Sequence, residues 1–135
     1  MTVLLICNDE IERGRREQAL RDAGHAVSAC ASGADALRWL RSRLGDEAPI
    51  SCVVADLYMP DLDGFDVLRS DAIARSGAPV VVIDNGLAHL HDDMAATLRD
   101  FGAAAVLRAP VTAAALAEAA SGARQRRAPI AARRP

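Results

Sequence analysis

The chain contains no lysine. All 16 of its basic residues are arginine, so any cation its chemistry needs from a side chain must be a guanidinium or a histidine. Aromatic residues are almost as scarce, with one Trp, one Tyr and two Phe in 135 residues. Trp39 and Tyr58 belong to no aromatic-basic pattern, which argues against a nucleic-acid surface. Long apolar runs are also missing. Val80–Ile83 and Ala103–Leu107 fall far short of the roughly 20 residues that span a bilayer. Met1–Cys7 has neither a basic leader region nor a small-residue cleavage site, so the expected location is cytoplasmic, with no membrane partner. The three cysteines, Cys7, Cys30 and Cys52, are odd in number and widely spaced, and each sits in a strand-like stretch. Buried reduced thiols are expected, not a disulfide or a metal site.

Hydrophobic residues make up 51% of the chain, enough for one ordinary core, and the length suits one domain. That domain is expected over residues 1–123. Residues 124–135 read as a disordered Arg-, Pro- and Ala-rich tail or linker without apolar period. The whole chain carries a formal charge of −2; setting aside Arg124, Arg126, Arg127, Arg133 and Arg134 leaves the remainder at −7. An acidic body therefore precedes a basic end, which could touch phosphates but reads better as a linker or solvated tail.

The pattern alternates along the chain. Val3–Cys7 reads as a strand, Ile11–Ala23 as a helix and His25–Ala31 as a second strand ending at Ser32-Gly33. Leu37, Leu40 and Leu44 repeat at helical spacing until Gly45. Cys52–Ala55 is a short strand running into Asp56, and a helix is expected from Phe65 to Arg75 after a loop with Pro60 and Gly64. Pro79–Ile83 is rich in β-branched residues, as suits a central parallel strand. Leu87, Leu90, Met94, Leu98 and Phe101 predict one continuous helical stripe that Gly102 ends. Ala104–Leu107 gives a fifth strand, and Thr112 caps a last Ala-rich helix running to about Gly122. Five strands alternating with five helices predict an α/β fold, a parallel sheet covered on both faces.

In such a sheet, ligands bind beyond the carboxyl ends of the strands where the strand order reverses. Asn8, Asp9 and Glu10 lie at the end of strand 1, Asp56 at strand 3, Asp84 and Asn85 at strand 4, and Arg108–Pro110 at strand 5. Carboxylates held about 4 Å apart repel by about 4 kcal/mol at an effective dielectric near 20, so a converging cluster asks for a cation. Oxygen ligands without His or Cys at metal-ligand spacing suit Mg²⁺ better than Zn²⁺.

"LLICNDE" resembles the first strand and acidic pair of response-regulator receiver domains, and "CVVADLYMPDLDGFDVL" is similar to their phosphorylation-site strand, Met-Pro loop and Asp-Gly helix start. "PVVVID" matches the fourth strand, and "FGAAAVLRAP" resembles the Gly-Ala…Lys-Pro segment at the fifth. The resemblance implies a three-layer (βα)5, flavodoxin-like, doubly wound sheet of order 2-1-3-4-5. It also implies that the domain is a signalling unit in a two-component phosphorelay rather than an enzyme. By the same resemblance, Asp56 is the phosphoacceptor, supplied by a sensor histidine kinase or phosphotransfer protein. Mg²⁺ would be held by Asp9, Asp56, the Tyr58 carbonyl and, through a water, Asn8. A homodimer through the face of the fourth helix, fifth strand and fifth helix, an output domain or target protein, and a cis Ala109–Pro110 bond are implied as well.

Four positions depart from the family's pattern. Asn8 replaces an acid, Asp84 stands where a Ser or Thr contacts the phosphoryl group, Ala109 replaces the Lys before the proline, and Val106 replaces the switching aromatic. Arg108 is adjacent, but neighbouring strand side chains alternate, so it is expected to aim away from the cleft. Asp84 could instead lend Mg²⁺ the charge that Asn8 lacks. His89 and His91 follow strand 4 closely and could sense pH near the cleft, but are expected to be solvated loop or helix-start histidines. Two functions follow: a phosphorylatable switch with weakened machinery, or a degenerate receiver that serves as a phosphorylation-independent interaction module. A metal-dependent phosphatase fits less well, because such enzymes carry a second Asp where this chain has Tyr58.

Overall fold

The computed structural model describes residues 2–43 and 49–126, the side chains of 124–126 apart. Its elements are β1 (Thr2–Ile6), α1 (Glu10–Asp22), β2 (Ala26–Cys30), α2 (Gly33–Ser42), β3 (Ile50–Asp56), α3 (Gly64–Leu68), α4 (Asp71–Ser76), β4 (Val80–Asp84), α5 (His91–Asp100), β5 (Ala105–Arg108) and α6 (Ala113–Arg126). The strands form one parallel sheet of order β2-β1-β3-β4-β5, as expected.

Alternation along the central strands sorts the core into two layers. Val3 and Leu5 of β1 point to the same side as Cys52, Val54, Val81 and Ile83, where Leu20 of α1 and Leu116, Ala119, Ala120 and Ala123 of α6 cover them. Leu4 and Ile6 point the other way, with Val53, Ala55 and Val82, onto α2, α3, α4 and α5. Each central strand is buried on both faces, which is why β3 and β4 read as near-continuous apolar runs. Between β1 and β3 the chain order reverses, and a crevice opens beyond their carboxyl ends.

Three elements differ from the sequence reading. The helix expected over 65–75 is two short ones, because the Ser70 hydroxyl accepts from the Ile73 amide and starts α4 as an N-cap. The stripe expected from Leu87 to Phe101 begins with a 3-10 turn over Ala88–Leu90, and α5 starts only at His91. Leu87, Leu90 and Phe101 are exposed, while Ala95 and Leu98 make the buried contact, so the apolar spacing was wider than the buried face. Gly102 does end this segment, at φ +103°. Finally, α6 continues through Gly122 to Arg126, because Ala123 extends the buried row begun by Leu116. Leu44, Gly45 and the tail from residue 127 lie outside the described residues. No described helix is long and apolar enough to cross a membrane.

Candidate functional site

The last residue of β3 is Asp56, buried at the rim of the sheet. Its nearest charged neighbour comes from α1. Leu20 turns inward on that helix, and one turn earlier Arg16 faces the same way, so its side chain runs under the sheet rim instead of into solvent. Arg16 Nη1 donates to Asp56 Oδ1 at 2.7 Å, with the two side chains 7% and 8% exposed. The same nitrogen lies 3.5 Å from the Cys7 sulfur. Arg16 Nε is buried with no hydrogen-bond acceptor, a cost of about 1–3 kcal/mol that the ion pair must offset.

Sequence reasoning missed Arg16, although a signal existed: a charged residue four places before a core leucine lies on the core-facing side of its helix. Cys7 and Cys52 are buried free thiols and Cys30 is half-buried. Burial pushes the Cys7 thiol up to about 12, helped by the negative charge of Asp56 and a hydrogen bond to it. Cys7 thus borders the cleft as an unreactive thiol.

Asp9 and Asp56 line the same cleft, as the sequence predicted, with Cys7, Glu12 and Arg16 on one side and Asn85, Gly86, Arg108, Ala109 and Pro110 on the other. Asp9 is the N-cap of α1, and its Oδ1 accepts from the Glu12 amide at 2.8 Å. Asn8 is exposed, and its amide reaches the Ala31 carbonyl at 3.4 Å. Tyr58 is held through its backbone: its N–H donates to Asn85 Oδ1 at 2.9 Å, and its carbonyl accepts from Asn85 Nδ2 at 3.1 Å. This two-way clasp ties the loop after Asp56 to the end of β4. Farther along that loop, a capping box between Asp63 and Asp66 starts α3. Gly64 sits so close to β3 that an added Cβ would lie 3.1 Å from Leu57 Cα, which explains the Asp-Gly pair.

The four departures are placed as follows. Asp84 is 2% exposed, and both of its oxygens are engaged: Oδ1 by the Gly86 amide at 2.9 Å and Oδ2 by His91 Nδ1 at 2.8 Å. It is thus held between the Gly86 amide and the His91 ring rather than left as a bare anion at the rim. His91 is a helix-start histidine, as expected, but it is not solvated, because its ring turns onto the end of β4; His89 is exposed. Val106 is buried on the α5 side of the sheet, and Ala109 packs on the other side. Arg108 shares Val106's side, as alternation requires, yet it lines the cleft. It is the last residue of β5, so its long side chain bends over the rim, and Nη1 donates to the carbonyls of Asp84 (3.0 Å) and Gly86 (2.8 Å). The Ala109–Pro110 bond is cis, as expected.

These residues do not fit a divalent metal as they are arranged. One oxygen of Asp9 is used as a cap, one oxygen of Asp56 is bonded to a guanidinium, the Tyr58 carbonyl is clasped by Asn85, and Asn8 turns to Ala31. Among the described residues no group of three or more His, Cys, Asp or Glu could hold a metal ion. A cation bound to Asp56 would also meet the Arg16 charge. Two unit charges 4 Å apart repel by about 4 kcal/mol at an effective dielectric of 20, and a divalent ion doubles that.

A family model for the response regulator receiver domain matches residues 3–121. The transcriptional regulatory protein AfsQ1 of Streptomyces coelicolor is 38% identical over 68 residues, half of this chain and 28% of that protein. The sensor kinase CckA of Brucella abortus is 40% identical over 68 residues, half of this chain and 7% of that one. The chain thus matches less than a third of the length of these curated relatives. The crystal structure of a response regulator receiver domain protein from Clostridium thermocellum superposes with a TM-score of 0.79 at 28% identity, covering 93% of this chain and 94% of that one. With five parallel strands in this order and an aspartate at the end of the third, the chain belongs to the response regulator receiver domain family.

Proposed function

We propose that this domain is a cytoplasmic receiver that accepts a phosphoryl group on Asp56 from a histidine kinase or phosphotransfer protein, with a weakened switch. The observation that carries the reading is the place of Asp56: the end of β3, at the floor of a cleft open at the sheet rim and lined by Asp9 and two arginines. In the transfer, the N–P bond of a phosphohistidine breaks and an O–P bond forms to an Asp56 carboxylate oxygen. The imidazole keeps the electron pair and takes up a proton. A carboxylate needs no base to become a nucleophile, so the protein's task is positioning and charge compensation.

Two arginines are at hand for that compensation. Arg16 already donates to one Asp56 oxygen, leaving the other as acceptor, and Arg108 borders the cleft where the family's lysine is missing. The switch is weak because the position of the hydroxyl that would bind the phosphoryl group is Asp84, which is tied to His91, and Val106 offers no aromatic ring to move with it. Output through a homodimer or a target on the α5–β5–α6 face belongs to the same reading.

The second reading is an interaction module whose Asp56 stays unphosphorylated. It is favoured by the Arg16–Asp56 pair itself, since a carboxylate already neutralised and buried is a poorer nucleophile than a solvated one. Incubation with acetyl phosphate, with and without Mg²⁺, followed by intact-mass measurement separates the two. A gain of one phosphoryl group that disappears in Asp56→Asn supports the acceptor. No gain under either condition supports the module.

A further inference from the structure

We propose that Arg16 is the resident counter-ion of this acidic site, doing with a guanidinium what a divalent cation would otherwise do, so that the folded domain excludes Mg²⁺. The inference goes beyond the proposed phosphoryl transfer and holds whether or not Asp56 is ever phosphorylated.

Arg16 is the only basic residue among the buried polar residues described, and burying it leaves Nε without an acceptor. A helix position one turn from Leu20, facing the core, would ordinarily be apolar. An arginine there is compensated at one point only, the 2.7 Å bond to Asp56. The charges of the cleft point the same way. Its acids are Asp9, Glu12 and Asp56, opposed by Arg16 and Arg108, so its walls carry a net single negative charge where three uncompensated acids would recruit a metal. Asn8, beside Asp9 in the chain, adds no further negative charge.

One oxygen of Asp9, one oxygen of Asp56 and the Tyr58 carbonyl are already engaged, in ways that reinforce one another. The Asp9 cap holds the start of α1, the helix that carries Arg16, and the Asn85 clasp holds the loop that follows Asp56. Binding Mg²⁺, which demands near-ideal octahedral geometry, would require withdrawing the guanidinium and loosening those contacts together. The lysine-free composition leaves arginine as the cation for the task, and arginine stays charged at any working pH, so the compensation is permanent.

The test is Mg²⁺ binding by the full chain, read by calorimetric titration and by the thermal midpoint at constant ionic strength. A site with a Kd of about 0.1 mM would raise the folding constant about 100-fold at about 10 mM Mg²⁺. The wild-type chain is expected to show neither saturable heat nor a rise in midpoint. Arg16→Met is expected to gain saturable binding, lost again when Asp56→Asn is added. Should Arg16→Met fail to fold, Arg16→Gln, which keeps a polar side chain without the charge, takes its place with the same expectation. Saturable Mg²⁺ binding by the wild type overturns the proposal, and so does a folded uncharged variant that still ignores Mg²⁺. Both readouts are independent of acetyl phosphate labelling. An unlabelled Asp56 would count against the acceptor reading alone, and a metal-binding wild type against the counter-ion alone.

Discussion

Removing one member of the Arg16–Asp56 pair should cost the domain far more than removing one member of a surface pair of the same chemistry. The two side chains are 7% and 8% exposed and 2.7 Å apart, so neither water nor salt screens them appreciably. Arg16→Met leaves the Asp56 carboxylate buried with the Cys7 thiol as a weak donor, and an uncompensated buried charge of this kind costs about 3–5 kcal/mol. At about 2.1 cal/mol/K per residue, a chain of 135 residues loses roughly 3.5 °C of midpoint per kcal/mol, so Arg16→Met should melt about 10–18 °C lower. Asp56→Asn keeps an acceptor for Arg16 but leaves the buried guanidinium without its counter-charge, and should likewise cost about 3–5 kcal/mol. The double variant should lose less than the sum of the singles by about 2–3 kcal/mol. The Arg38–Asp35 pair, 76% and 55% exposed, is the control, and Arg38→Met should change stability by no more than about 0.5 kcal/mol. The assay is urea and thermal unfolding followed by far-UV circular dichroism, repeated at low and high salt. Additive single losses, or an Arg16→Met loss as small as that of Arg38→Met, would refute the claim that this pair is the compensated charge at the heart of the site.

Two further outcomes are expected. Burial raises the Cys7 and Cys52 thiols to about 12, above their unfolded value near 8.5, so the stability gained by keeping them protonated is full below about pH 8.5 and drains away as pH rises toward 12. Alkylation of the native chain at mildly alkaline pH should therefore modify half-buried Cys30 first and reach Cys7 and Cys52 only on unfolding, as intact mass can follow; rapid native labelling of Cys52 would contradict the burial. At the end of β4, His91→Ala should destabilise by about 1–3 kcal/mol because Asp84 keeps only the Gly86 amide, while His89→Ala should be silent; equal urea midpoints for the two would contradict the Asp84–His91 contact.

The sequence by itself determined the order and type of the main elements, the parallel sheet and the rim on which Asp9, Asp56 and Asn85 meet. These follow from period-2 and period-3.6 spacing and from the switch-point rule, both properties of residues close along the chain. The break at Ser70 was legible in principle as a capping serine, and the extension of α6 through Gly122 was not, since only packing of Ala123 against the sheet carries it. Tertiary structure alone decided the partners. Arg16 lies 40 positions from Asp56, and no local pattern states that an inward helical arginine ends at that carboxylate and not at another. Likewise, alternation along β5 aimed Arg108 away from the cleft and could not say that a strand-terminal side chain bends over the rim into it. His91 reaches Asp84 only because α5 starts one 3-10 turn later than its apolar spacing suggests. Secondary structure follows from neighbours in sequence, whereas charge compensation is set by which long side chains the folded sheet brings within hydrogen-bond reach of one buried oxygen.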